Sequence, residues 1–227
     1  MAYSLLGHTF AQSSGGGAVT TSAVDTSGAD LITVGVSSGS LSLMTVTDSK
    51  SNSYTNKTLQ TDGATVSNYH AFVQAPTVGG SHTFTVGSAA TFPTIFVAWW
   101  SGSVSTPFDA ESGADTGGVG STTGAPGSIT PAESNELFVV GATTNGSAPA
   151  FSIDSGFTIT DSVGLSAGNA YGGAFAYKIV SDTSAQNPTW TQAAANFLPR
   201  RMAAFKDTAG GGGGGAQNLL SLLGVGT

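Results

Sequence analysis

The sequence predicts an all-β protein, an antiparallel two-sheet sandwich of the jelly-roll type. Short apolar or alternating runs recur along the 227 residues with Gly, Ser, Thr, Asn and Asp between them, which is the pattern of strands. No segment carries a sustained helical period with capping residues, so we expect very little helix beyond one turn near 191–196. A chain of this length can bury roughly 70 per cent of its unfolded surface, which is enough for a core without disulfides.

Nine runs are predicted to be strands. In chain order they are 33–37, 41–47, 69–73, 82–86, 94–100, 137–143, 173–180, 189–192 and 201–206. Asp62-Gly63 and Asn145-Gly146 lie between such runs, and each pair offers the positive φ angles that a two-residue hairpin needs. Arg200 and Arg201 open the last strand, and strand alternation points them to opposite faces, one of them toward an acidic loop or a strand end.

The two halves of the chain resemble each other. With a shift of about 105 residues, the run 31–36 falls on 137–142, and 83–85 falls on 189–191. A Phe-Pro pair before the tryptophan run falls in the same way on a Leu-Pro pair before the last run. Matching blocks in the same order predict an internal duplication.

The predicted copies are about 73 residues long, at about 30–102 and 135–207, and a long loop at 103–134 joins them. Copies of this size would have thin cores, so we expect them to interleave into one β-sandwich domain over residues 1–207. Two tandem small domains are the alternative.

Composition narrows the class of partner. Only 8% of residues are charged, the net charge is −7, and there is no cysteine. A negative, weakly charged surface does not favour nucleic acid and suits contacts with proteins or sugars. The absence of cysteine excludes disulfides and thiolate metal sites. The first residues have neither a basic stretch nor a long apolar run, so we expect no Sec signal and synthesis in a host cytoplasm.

Residues 208–227 are expected to form a Gly-rich tether that carries an apolar C-terminal peptide. Six glycines at 210–215 have maximal backbone freedom. The assembly residues that follow are Leu219, Leu220, Leu222, Leu223 and Val225. The conformational entropy lost in ordering about a dozen residues is about as large as the free energy gained by burying these side chains. One tail would therefore bind weakly, and many copies would bind by avidity. A tail folded back on its own domain is the alternative, and the segment is too short for a membrane span, which takes about twenty apolar residues.

Two patterns that resemble catalytic or metal motifs have simpler interpretations. Residues 35–39 match G-x-S-x-G, but a hydrolase needs a helix after that serine and the run 41–46 is strand-like, so a polar turn explains the match. His8, His70 and His82 show no metal-binding spacing. His82 alternates with apolar residues on one strand face, which predicts a structural histidine.

Two candidate sites remain. Asp109, Glu111 and Asp115 form the densest acidic cluster, in the expected loop after the tryptophan run. Carboxylates in irregular loops bind Ca²⁺, while a solvated loop is the alternative, and no other cofactor is expected. Trp99 and Trp100 are adjacent on a strand and point to opposite faces. An exposed ring beside Asp109 would make a site for a sugar or a protein, and burial of both rings is the alternative.

A resemblance covers most of the domain. Its carriers are the segments 96–102, 106–110, 135–137, 188–191 and 193–197. They resemble a family of lectin-like, jelly-roll β-sandwich modules of bacteriophage virion proteins and bacterial surface proteins. The resemblance implies a sandwich fold with a structural or adhesive role, and it brings no catalytic residues.

From these observations we expect a non-enzymatic bacteriophage virion structural protein. It would be a capsid decoration or a tail or fibre component, docked through its C-terminal tail on other virion proteins. We expect a homo-oligomer that contacts a host-surface glycan in attachment, with no nucleic acid and no membrane span. The alternative is a carbohydrate-binding adhesin module of a bacterial or phage surface.

Overall fold

The computed structural model describes residues 2–13, 15–63, 65–89, 91–166 and 171–207. This part of the chain contains strands, turns and bends but no helix, so the predicted all-β class is confirmed. Its seventeen strands are β1 (Ser4–Gln12), β2 (Val19–Thr20), β3 (Leu31–Ser38), β4 (Val46–Asp48), β5 (Thr55–Asn56), β6 (Gln60–Thr61), β7 (Ser67–Gln74), β8 (Phe84–Val86), β9 (Thr94–Ser101), β10 (Ser103–Ala114), β11 (Ser121–Gly124), β12 (Leu137–Thr144), β13 (Ser152–Ile153), β14 (Thr158–Val163), β15 (Gly172–Ile179), β16 (Trp190–Asn196) and β17 (Arg200–Asp207).

Two local predictions are wrong. The expected helical turn at 191–196 belongs to β16, because that segment pairs with both β11 and β13. The expected strand at 41–47 shrinks to β4. Its first residues instead bend at Ser40, whose hydroxyl accepts the N–H of Ser42 at 3.1 Å and donates to the Ser42 carbonyl at 2.9 Å. Such local serine hydrogen bonds compete with a strand ladder.

Neither predicted two-residue hairpin forms. Thr61 of β6 is the register partner of Ser67 of β7, so the loop between them is longer. Asp62 closes this loop by accepting two backbone N–H bonds at 2.8 and 3.0 Å. Asn145 follows β12, and its side-chain oxygen accepts the N–H of Phe197 at 3.1 Å. Both polar residues therefore organise turns by capping backbone groups.

The strands form four antiparallel sheets. The first large sheet has the order β1-β9-β3-β7-β5, with β6 also on β7, and the second has the order β10-β17-β12-β15-β14. The first small sheet is β2-β8-β4, and the second is β11-β16-β13. The expected single two-sheet sandwich is not confirmed, because the described strands form four sheets. The segment 103–134, expected to be one long loop, contains β10 and β11.

The two large sheets have the same strand order and the same register. Strands β1 to β9 are named the first half here, and β10 to β17 the second half. In the first half Gly35 pairs with His70, and in the second half Gly141 pairs with Phe175. The two pairs differ by an offset of about 105 residues, the shift that relates the two halves of the sequence.

Three cores hold the sheets together. Alternation along β3 places Ile32, Val34 and Val36 in the core between the first large and first small sheets. Leu31 lies on the opposite face, in the central core between the two large sheets. An equivalent outer core lies between the second large and second small sheets, around Trp190. Because both faces of the central strands are covered, β3, β7, β9, β12 and β17 are buried along nearly their whole length, whereas the outer strands β1, β5, β10 and β14 are partly exposed.

Candidate functional site

The two tryptophans of the sequence-predicted site are buried on opposite faces of β9. Trp99 is 6% exposed and lies in the first outer core, with its ring against Gly7. Trp100 is fully buried in the central core, where its Nε1 donates to Thr33 Oγ1 at 2.9 Å and its ring meets Tyr177 edge-on at 5.0 Å. Neither ring presents a surface to a sugar, because β9 has a core on each face. The expected tryptophan platform is absent from the described structure.

The three acidic residues lie on or just after β10, and each has its own partner. Asp109 Oδ1 lies 3.3 Å from Lys206 Nζ, and Asp115 accepts a 2.6 Å hydrogen bond from the side chain of Gln60. Among the described residues, no group of three or more His, Asp or Glu side chains is placed to hold a metal ion. Because calcium needs six to eight oxygen ligands around one point, the structure gives no support to a site made by Asp109, Glu111 and Asp115.

Glu111 instead joins the two halves. Its carboxylate accepts a 2.6 Å bond from Arg201 Nη2, and it accepts the hydroxyl and backbone N–H of Thr58 at 2.8 and 3.2 Å. Burial opposes ionisation of Glu111, but the Thr58 hydrogen bonds and the Arg201 charge outweigh it, so its pKa lies below the ordinary value. The prediction that one arginine reaches an acidic group is confirmed for Arg201. Arg200 donates to two backbone carbonyls at 2.8 Å.

An open cleft of about 340 Å³ lies where the halves meet, next to Glu111. This inter-half cleft is lined from the first half by Ser53, Thr55, Phe72, Val73 and Gln74, and from the second half by Ser105, Thr106, Pro107 and Phe108. The rings of Phe72 and Phe108 stack at 5.9 Å with 11° between their planes, and Lys57 Nζ lies 3.4 Å from the centre of the Phe108 ring. Its floor is therefore aromatic, and its rim carries hydroxyl and amide groups.

Sequence reasoning missed the inter-half cleft. Its second wall, residues 105–108, falls in the segment expected to be a loop, and the other wall comes from around β5 and β7. The available signal was Pro107-Phe108, an apolar pair among small polar residues. Nothing in the sequence shows that this pair meets Phe72, because that contact depends on how the two halves pack.

A seam of buried hydroxyl and amide groups links the halves near the C-terminal ends of β3 and β12. Thr143 Oγ1 lies 2.8 Å from both Ser37 Oγ and the Ser67 carbonyl, and Asn68 Nδ2 donates to Thr143 at 3.2 Å. Ser37 is the serine of the G-x-S-x-G match. It is fully buried on β3 and not in a turn, so it is not presented to solvent as a hydrolase nucleophile is.

Comparison of the chain with protein-family models, with curated proteins and with solved structures finds no match. The resemblance to lectin-like modules of phage and bacterial surface proteins therefore stays a prediction.

His70 is the most unusual titratable group in this region. It is buried between the large sheets, its ring meets Phe175 edge-on at 5.6 Å, and neither ring nitrogen has a hydrogen-bond partner. Burial, helped by the charge of Arg201, lowers its pKa to about 3. A neutral imidazole enclosed in this way has no access to a substrate.

The other two histidines bind carboxylates. His82 is fully buried, with Nδ1 2.8 Å from Thr26 Oγ1 and Nε2 3.0 Å from Asp48 Oδ2, as expected of a structural histidine. His8 on β1 lies at the surface, where its Nδ1 is 2.9 Å from Asp161 Oδ2 of β14. This pair joins the halves on one flank, as Glu111 and Thr58 do on the other.

Acidic and phenolic groups gather where β17 ends. Tyr3 donates its hydroxyl to the Lys206 carbonyl at 2.7 Å, and burial, followed by the nearby carboxylates of Asp207, Glu136 and Asp30, keeps its pKa above the ordinary value. Glu136 is itself buried, and burial, with the charge of Asp109, raises its pKa to about 7.

The proposed assembly residues Leu219, Leu220, Leu222, Leu223 and Val225 lie outside the described residues. Within the described part, no helix is long and apolar enough to cross a membrane.

Proposed function

We propose that this chain is a structural protein of a bacteriophage virion, displayed in many copies as a capsid decoration or as part of a tail or fibre. The observation that carries the proposal is how the described body ends. Its last strand, β17, lies inside the second large sheet with β10 on one side and β12 on the other. Both edges of β17 are therefore paired, and neither edge is left to bind a further segment.

The sequence that follows suits attachment to a partner. Residues 208–215 are mostly glycine, and the five assembly residues begin four positions later, at Leu219. A single apolar peptide on a Gly-rich linker binds its partner weakly, whereas many such peptides on one particle bind strongly by avidity. On the particle, copies of the chain and other virion proteins supply the surfaces that the peptide binds.

We also propose that the body is a duplicated jelly roll. Each half contributes a large and a small sheet, and the order β2-β8-β4 of the first small sheet matches β11-β16-β13 of the second. A jelly roll divides about eight strands between two sheets in this manner. The shared offset of about 105 residues in sequence and in register supports one ancestral unit.

The proposal includes no catalytic role and no glycan site at the tryptophans. Ser37, His70 and His82 are buried, and each is held by the packing of the sheets. Trp99 and Trp100 lie in two different cores, so the residues named for the adhesin alternative are unavailable to a sugar. A cohesive body with three cores fits a structural role better than either alternative.

Incorporation into particles tests the proposal. Particles of the phage that encodes this chain are purified on a density gradient, and copies per particle are counted by quantitative mass spectrometry. We expect many copies of the wild-type chain and roughly tenfold fewer of the Leu222→Asp variant, because one lost buried leucine costs about 1.5–3 kcal/mol.

Ser221→Asp is the matched control, since it adds the same charge one position earlier and removes no leucine. We expect its copy number to stay within about twofold of the wild type. Absence of the wild-type chain from purified particles would falsify the proposal. Equal incorporation of Leu222→Asp would remove the assembly segment from it.

A further inference from the structure

The chain leaves the described body beside the inter-half cleft. The ring of Phe205 on β17 meets the two floor rings edge-on, Phe72 at 5.2 Å and Phe108 at 6.1 Å between centroids. Asp207 follows two residues later and is the register partner of Ser103, the first residue of the strand that forms one wall of the cleft. The chain beyond Asp207 therefore starts next to the cleft.

The linker beyond Asp207 is long enough to bring the assembly segment back. Residues 208–218, which include the six glycines, precede Leu219. A glycine-rich coil of this length has a root-mean-square span of about 17–20 Å. A short flexible linker of this kind gives its cargo an effective concentration in the millimolar range at a nearby site. A weak apolar contact suffices at such a concentration.

The chemistry of the cleft matches the segment. No residue that lines the cleft is charged, and residues 216–227 contain no charged residue either. The stacked Phe72 and Phe108 rings offer an apolar floor to leucine side chains. The Lys57 ammonium that lies over the Phe108 ring is 3.9 Å from the Glu111 carboxylate, so its charge is already paired. A charged ligand would therefore lose its hydration in the cleft with little compensation from a counter-charge.

The rim of the cleft can receive a peptide backbone. The register between β10 and β17 is interrupted between Ser103 and Phe108, so the wall residues between them are not ladder partners of β17. On the opposite wall, the two-residue strand β5 is the edge of the first large sheet and pairs only with β7. Edges of this kind bind extended peptides by strand addition.

We propose that the inter-half cleft holds the chain's own assembly segment, Leu219 to Val225, before the protein assembles. This inference rests on the proposed docking role of that segment and adds where it lies in the free protein. Release from the cleft then exposes the leucines to other virion proteins. Storage in the cleft keeps an apolar peptide covered until that point.

Disulfide trapping in the full chain tests the inference, because the sequence has no cysteine of its own. The test protein carries Thr55→Cys in the cleft and Leu222→Cys in the segment. The matched control carries Thr158→Cys with Leu222→Cys. Thr55 and Thr158 are both exposed, and they pair with Phe72 and Tyr177 at equivalent positions of the two large sheets.

We expect the Thr55 pair to cross-link within one chain about tenfold faster than the Thr158 pair, reflecting the local concentration of a docked segment. Adding Leu219→Asp to the test pair should reduce its rate to that of the control, because apolar contact drives docking. Protein concentration should not change the rate of an intramolecular reaction.

Three outcomes overturn the inference. The first is equal rates for the two pairs, and the second is a test rate that Leu219→Asp leaves unchanged. The third is a product that consists mainly of cross-linked dimers, which places the segment in a second copy. If the Thr55 pair does not cross-link faster than the control while Leu222→Asp still reduces incorporation into particles, the proposed function stands. Only the inference that the cleft holds the segment is then rejected.

Discussion

At the residue scale, the two halves meet by a reciprocal fit of rings over glycines. A Cβ on Gly141 would lie 2.9 Å from His70 Nε2, and a Cβ on Gly35 would lie 2.6 Å from the Phe175 ring. Each half therefore supplies one glycine that makes room for a ring of the other half. The Phe175 ring is apolar, whereas the equivalent ring of His70 is a buried base whose nitrogens have no hydrogen-bond partner among the described residues.

The substitution His70→Phe tests the cost of this base. The imidazole is neutral in the folded protein down to its pKa of about 3, while in the unfolded chain it is protonated below about 6.5. Its depressed pKa therefore lowers the free energy of unfolding progressively as the pH falls from 6.5 toward 3. We expect the wild type to lose roughly 2–3 kcal/mol more than His70→Phe between pH 7 and pH 4.5, measured by urea unfolding.

The control for this measurement is His8→Phe, which removes a surface imidazole. Its exposed pair with Asp161 contributes little to stability, about 0–1 kcal/mol. We expect its acid-induced loss to match the wild type within about 1 kcal/mol. Equal acid losses for His70→Phe and the wild type would show that His70 is not the acid-sensitive group.

At the element scale, the strands that the sequence revealed are those with a dense apolar pattern. Strands such as β3, β9 and β12 are buried on both faces and were predicted within a few residues. By contrast, β10 contains proline, glycine and two acidic residues, and it is a strand because β17 offers it a long edge. The alanine-rich β16 is extended for the same reason, since tertiary pairing overrides local propensity.

The candidate site could not be predicted fully for the same reason, because tertiary packing decides the surroundings of its residues. Trp99, Trp100 and the carboxylates could be found in the sequence, but their surroundings could not, because these depend on how the sheets cover one another. Glu111 shows this clearly. It is one of three similar acidic residues in the sequence. The pairing of β10 with β17 brings Arg201 to it, and the packing of the halves brings Thr58 to it.

Glu111→Ala tests whether β10 is fastened through this residue. Removal of the carboxylate leaves the buried Arg201 guanidinium, whose side chain is 7% exposed, without its charged partner. Breaking a buried pair costs about 3–5 kcal/mol, and the partial exposure of Glu111 reduces this to roughly 2–3 kcal/mol. We expect that loss in the free energy of unfolding at pH 7, measured by chemical denaturation.

Asp109→Ala is the matched control on the same strand. Its partner Lys206 has a side chain that is 34% exposed, so the expected loss is below about 1 kcal/mol. Similar losses for the two alanine variants would contradict a special role of Glu111 in fastening β10.

At the scale of the whole molecule, two buried groups near the junction of the halves have opposite effects on stability. His70 lies between the large sheets, and its lowered pKa weakens the fold as the pH falls. Glu136 lies near the end of β17, and burial raises its pKa to about 7. The His70 effect develops as the pH falls from 6.5 to 3, and the Glu136 effect develops as the pH rises from 4.5 to 7, so the two partly offset each other between pH 4.5 and 6.5.

Glu136→Gln tests the loss of stability that Glu136 causes as the pH rises. The folded protein holds a proton on Glu136 that the unfolded chain loses above about 4.5, so its stabilising effect is complete below that pH and is lost as the pH rises through 7. The glutamine stays neutral and keeps the shape of the protonated acid. At pH 8 we expect the variant to gain roughly 1 kcal/mol in the free energy of unfolding, which raises the melting temperature by about 2–4 °C. At pH 4.5 we expect no change. The control is Glu133→Gln, three residues earlier and partly exposed, for which we expect no such effect. Equal melting curves for Glu136→Gln and the wild type at pH 8 would show that Glu136 does not cause the loss of stability at high pH.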